Sequence, residues 1–170
     1  MPGMRANRAP EWDQLRVPKV QLSRHSSVLR PTRKGAQMAE SDDIHWMREA
    51  IRIATSRGDT PGTAPIGCVI VLDGQIIGAA HNECEPLHDA TAHAEMMAFR
   101  RAGAAVASPA NLGGELRGAT LYSTLQPCGM CTMASIWAKV GRIVYGAGRE
   151  DVHRMYFEAR HIDTLDFVTN

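Results

Sequence analysis

From Asp42 onward the chain alternates between two hydrophobic periods. Ile44, Met47, Ile51 and Ala54 recur at helical spacing behind Asp42 and Asp43, either of which can cap a first turn, and Gly58 lies beyond the last apolar position as a stop signal. This spacing predicts a first helix. The Pro/Gly-rich turn from Thr60 to Pro65 feeds Ile66 to Leu72, which is β-rich and apolar on both faces. Asp73-Gly74 then turns the chain into Gln75 to Ala80, so the two segments predict a hairpin. After a loop from Pro86 to Asp89, Thr91 to Arg101 reads as a helix ended by Gly103, and a Gly/Ala/Pro-rich connection runs to Gly118. Ala119 to Leu125 reads as a third strand, Cys128 to Lys139 as a helix and Arg142 to Gly146 as a fourth strand. The order β-β-α-β-α-β, with crossover helices long enough to join parallel neighbours, predicts a layered α/β sheet covered by helices.

Length and composition narrow this further. At 170 residues, 44% hydrophobic and 22% charged, the chain suits one compact domain with a real core, which excludes a multidomain machine and wholesale disorder. The best apolar run, Cys68 to Leu72, is strand-sized and far short of the roughly 20 residues of a membrane span, so a soluble protein is expected. Four cysteines (Cys68, Cys84, Cys128, Cys131) are too few for a disulfide scaffold of this size, and a Cys-x-x-Cys among them points to metal or redox chemistry in a reducing, cytoplasmic compartment. Charge is unevenly spread. Residues 1–40 hold eight Lys/Arg against three acids, a net of +5, so with an overall +1 the remainder carries −4. That Pro-punctuated first stretch shows no apolar period and reads as a disordered basic tail ahead of a domain over 41–170. It reads as a nucleic-acid or partner arm, a transit peptide, or dispensable sequence ahead of a start at Met38, the last reading carrying most weight.

Two stretches carry candidate chemistry: His93-Ala94-Glu95 opening the second helix and Pro127-Cys128-Gly129-Met130-Cys131 opening the third. Helix starts that follow a strand or loop are where ligands bind in an open α/β sheet. Cys128 and Cys131, three apart, lie on one helical face, and the helix dipole there favours the thiolate that a metal needs. His93 with the two cysteines suits zinc and leaves a fourth tetrahedral position for a water, whose pKa falls towards about 7. Glu95 is then placed to shuttle protons without being a ligand. Two other readings stand beside this one: a structural zinc site completed by Cys84, His81 or His88, and a thiol redox pair, which leaves His-x-Glu unexplained.

The combination His-x-Glu with Pro-Cys-x-x-Cys resembles the cytidine/deoxycytidylate deaminase-like superfamily. The likeness runs from about Asp42 to Glu158, through Pro65 to Val71, Asn82, Thr91 to Glu95 and Leu121 to Leu125, and looks closest to the branch of bacterial guanine deaminases and tRNA adenosine deaminases. It implies a three-layer α/β/α sandwich with a central mixed sheet. It further implies His93, Cys128 and Cys131 as Zn2+ ligands, Glu95 as acid/base, and Asn82 and the Ala94 backbone N–H as contacts to the base. Two departures are Gln126, where this branch usually carries Glu, and Ala90, where Pro is common. A homodimer, in some members with exchanged C-terminal segments, is implied by resemblance alone.

For the substrate, Tyr145 to Glu158 resembles the guanine deaminase segment without gaps, with Asp151, Phe157 and Glu158 on that segment's acid and Phe-acid positions. No basic C-terminal helix is present, and a body at −4 does not look like a polyanion binder. The expectation is a hydrolytic deaminase of a free base or nucleoside, guanine-type aminopurines first and cytosine-like heterocycles next, with nucleic acid unlikely as a partner. A tRNA adenosine deaminase is the first alternative, and a non-catalytic zinc module the second.

Overall fold

The computed structural model describes residues 33–56, 64–148 and 151–152, with side chains from Asp42 onward. Readings that fall on Gly58, on most of the basic tail, or on Phe157 and Glu158 lie outside the described residues. Among the described residues, helices and strands follow in the order α1 (Arg33–Thr55), β1 (Gly67–Leu72), β2 (Gln75–His81), α2 (Cys84–Leu87), α3 (Ala94–Val106), β3 (Thr120–Leu125), α4 (Gly129–Trp137) and β4 (Arg142–Ala147).

The hairpin forms as the Asp73-Gly74 pair requires, both residues having positive φ (49° and 72°) and β1 pairing antiparallel with β2. The strand order is β2-β1-β3-β4. α3 therefore carries the chain past β1, so that β3 pairs antiparallel with β1 instead of parallel with β2, and among the described strands only β3 and β4, joined through α4, are parallel neighbours. The sheet is mixed.

Period-2 alternation splits the core between two faces. Val69, Val71, Tyr122 and Val144 face α1, against Met47 and Ala50. Cys68, Ile70 and Leu121 face α3, against Ala94, Ala98 and Ala102. The alanines recur every four residues, a thin stripe that lets the helix backbone lie close to the sheet. Gly78 completes that approach, because a Cβ there would sit 2.5 Å from the Ala98 carbonyl oxygen. Gly67 plays the same part on the other face, where a Cβ would meet the Ala50 carbonyl oxygen at 2.2 Å. Helices on both faces of a mixed sheet make the three-layer α/β/α sandwich.

The first helix differs from its expected bounds. It begins at Arg33, overlapping the end of the stretch read as tail, and Asp43 lies inside it rather than capping it. The Asp43 side chain accepts hydrogen bonds from Tyr122 and Arg142. An Asp in front of an apolar period looks like a cap, but partners this distant in sequence hold it within the helix.

Candidate active site

α3 and α4 both begin where a preceding strand or loop ends, and the residues at their N-cap positions are His93 and Cys128. Each has extended backbone (ψ 155° and 172°) and no side-chain capping bond, so its side chain is available beyond the helix end. Cys131 follows one turn into α4 and is buried. The Cys128 and Cys131 sulfurs lie 3.6 Å apart, and each approaches His93 Nδ1, at 3.6 and 3.7 Å. A tetrahedral zinc with Zn–S of about 2.3 Å and Zn–N of about 2.05 Å would separate its sulfurs by about 3.8 Å and sulfur from nitrogen by about 3.6 Å. The triad fits that ion in spacing and donor chemistry. Among the described residues Cys84, His81 and His88 do not join the group, and neither does Glu95, so the site offers three protein ligands.

The electrostatics are consistent with metal binding. The Cys131 thiol, and after it His93, hydrogen-bond to Cys128 and pull its pKa down to about 4 against the opposing effect of burial. The same contact, reinforced by burial, pushes Cys131 well up. His93 is raised, chiefly by its bond to Cys128. One sulfur of the pair is thus held as a thiolate, the form that coordinates.

Glu95 lies one residue inside α3 and is buried, and burial raises its carboxyl above the usual range. Its Oε1 accepts a hydrogen bond at 3.2 Å from the hydroxyl of Ser123, a fully buried residue of β3. The sequence reading did not single out Ser123. Its signal was present, since a polar side chain interrupts the inward row Leu121, Ser123, Leu125. Asn82 follows β2 and is buried, its Oδ1 receiving the Cys84 thiol at 3.4 Å. The next residue, Glu83, donates its backbone N–H to Ala92 at 2.9 Å, which brings this corner beside His93. Ala94 is buried in the first turn of α3, where backbone N–H groups have no helical acceptor. Gln126 is buried, and its N–H donates to Ala147. Asp151 is exposed and its carboxylate accepts the Gly148 N–H at 2.7 Å, closing a local turn after β4.

Residues 40–147 match the cytidine and deoxycytidylate deaminase zinc-binding region. A tRNA-specific adenosine deaminase of Buchnera aphidicola is 37% identical over 120 residues, covering 71% of this chain and 76% of that one. One from Agrobacterium fabrum is 44% identical over 108 residues, 63% of this chain and 66% of that one. A structure solved in a study of A-to-I editing by tRNA:A34 deaminases is 36% identical with a TM-score of 0.57, covering 71% of this chain and 95% of that one. Guanine deaminase from Bacillus subtilis is 30% identical with a TM-score of 0.58, covering 74% of each chain.

These relatives correct the substrate expectation. Chains at 37% and 44% identity are tRNA-specific adenosine deaminases, which displaces the free guanine-type base and removes the ground for treating nucleic acid as an unlikely partner. The expectation leaned on a body charge of −4, but net charge averages over a surface, whereas phosphate contacts need only a local basic cluster. It also leaned on Asp151, Phe157 and Glu158, of which the first is engaged with Gly148 and the others lie outside the described residues. Among the described residues no helix is long and apolar enough to cross a membrane. With the matched region enclosing both helix starts and a donor triad spaced for zinc, the chain belongs to the cytidine and deoxycytidylate deaminase family and is a zinc-dependent hydrolytic deaminase.

Proposed function

We propose that the protein deaminates an adenosine within a transfer RNA, converting it to inosine. The observation that carries this reading is the shared description of its relatives, tRNA-specific adenosine deaminases at 37% to 44% identity. His93, Cys128 and Cys131 would hold the zinc, which when bound supplies an activated water at neutral pH. The hydrolysis breaks the C6–N6 bond, forms a C6–O bond from water and releases ammonia. Glu95 handles the protons: its carboxyl passes one from the attacking water to ring N1 as the water oxygen bonds C6, then takes the proton of the hydroxyl now on C6 and delivers it to the departing N6 amine, leaving a C6 carbonyl. Its burial suits a group that must hold a proton near neutral pH. Asn82 and the Ala94 N–H orient the base, whose N7 beside C6 is an acceptor for such donors.

A homodimer completes the proposal. α4 exposes Met133, Ile136 and Trp137, an apolar stretch of the kind a subunit contact covers. Sedimentation analysis reads the assembly directly.

The test of function is a panel. Zinc-loaded protein is incubated with an adenosine-containing tRNA anticodon stem-loop, with free guanine, adenine and cytosine, and with their nucleosides, and ammonia and inosine are measured. Inosine in the RNA is expected. Ammonia from guanine with no inosine in the stem-loop would overturn the proposal.

A further inference from the structure

The inward row of β3 reads Leu121, Ser123, Leu125, and the polar member of that row is fully buried. A hydroxyl at such a place costs stability unless it is hydrogen-bonded, and an alanine would pack there without that demand. The hydroxyl meets Glu95 Oε1 at 3.2 Å, across 28 positions of chain. Strand alternation sets this direction. Tyr122 turns to the α1 face and bonds Asp43, so Ser123 must turn to the α3 face, where Glu95 opens the helix. Across the sheet Ser123 is in register with Cys68, which is also fully buried. Ser123 thus belongs to a fully buried pair of positions on two neighbouring strands.

We propose that Ser123 is a positioning residue for Glu95, its hydroxyl fixing the rotamer of the carboxyl that moves protons. The assignment rests on the acid/base role given to Glu95 above. A serine hydroxyl keeps its proton at every working pH, so it can donate throughout. Ser123 therefore offers Glu95 a buried donor that does not change with pH. A carboxyl aimed by a fixed donor meets the ring nitrogen without first finding its geometry, which affects turnover more than binding.

Four variants of the zinc-loaded protein test this on whichever substrate of the panel wild type deaminates. Ser123→Ala should lower kcat about tenfold with KM, zinc content and melting temperature close to wild type. Ser123→Thr and Ser123→Val have nearly the same volume and differ in the hydroxyl, so Thr should retain most of the turnover and Val should fall with Ala. Equal kcat in Val and Thr, or wild-type kcat in Ala, would overturn the role of the hydroxyl. Glu95→Gln separates the two readings: if it is inactive while Ser123→Ala is fully active, only the Ser123 assignment fails. If Glu95→Gln retains turnover, or wild type releases no ammonia from any member of the panel, both fall.

Discussion

Asp43 accepts the hydroxyl of Tyr122 at 2.8 Å across 79 positions of chain, tying the helix on one face of the sheet to the central strand β3. The same carboxylate takes both Nη1 (2.7 Å) and Nη2 of Arg142 at the start of β4, so one side chain joins three elements. Asp43 and Tyr122 are buried and Arg142 is about one-third exposed, a setting in which charge-assisted bonds are stronger than on an open surface. The contact orders β3 just before the strand ends at the site.

Tyr122→Phe should destabilise the protein by about 1.5–3 kcal/mol in urea titration, the usual worth of a hydrogen bond to a charged group. Burial first, and then Asp43, push the Tyr122 hydroxyl above its ordinary range. With the folded pKa above the unfolded value of about 10, the contribution is complete below that pH and is lost as pH rises beyond it. Wild type should therefore lose stability more steeply above pH 10 than Tyr122→Phe does. Parallel alkaline limbs in the two proteins would show that the bond carries no such linkage.

One zinc per chain is the expected metal content, and Cys128→Ser or Cys131→Ser should lose metal and activity together. Elemental analysis of purified protein checks both. Two metals per chain, or full activity in a preparation without zinc, would remove the triad from the chemistry.

Glu95→Gln should keep the fold and the zinc while losing on the order of 10²-fold or more in turnover, the range a general acid/base supplies. Circular dichroism and metal content serve as controls beside steady-state kinetics. Turnover within a factor of two of wild type would place proton transfer elsewhere.

An RNA substrate makes affinity salt-dependent, because each phosphate contact releases counterions. The Kd for a labelled anticodon stem-loop should rise roughly tenfold or more between 50 and 200 mM salt. A flat salt response would argue that the protein takes up the base without its backbone.

Gly78→Ala should destabilise by about 1–3 kcal/mol, the cost of overpacking a tight site. The new methyl would lie 2.5 Å from the Ala98 carbonyl and 2.8 Å from the Ala102 Cβ, so α3 must move away from the sheet. Chemical denaturation reads the loss, and unchanged stability would mean that α3 yields without strain.

Local sequence was enough for the features that depend on neighbours along the chain. Asp73-Gly74 carries the turn chemistry that makes the β1–β2 hairpin, and the helix-opening motifs point to His93, Cys128 and Cys131 as a donor set, with Glu95 close by as a non-ligand carboxyl, because each motif lies within one helix start. Other features depend on partners far away in sequence. Asp43 reads as a cap until Tyr122 and Arg142 are brought to it, and Ser123 is one polar residue in a strand until Glu95 stands above it. Likewise, β3 could have paired with β2 or with β1, and an apolar pattern is the same for both. Burial of the two helix layers on opposite faces decides it, because pairing and packing are collective properties of the folded chain that no single segment encodes.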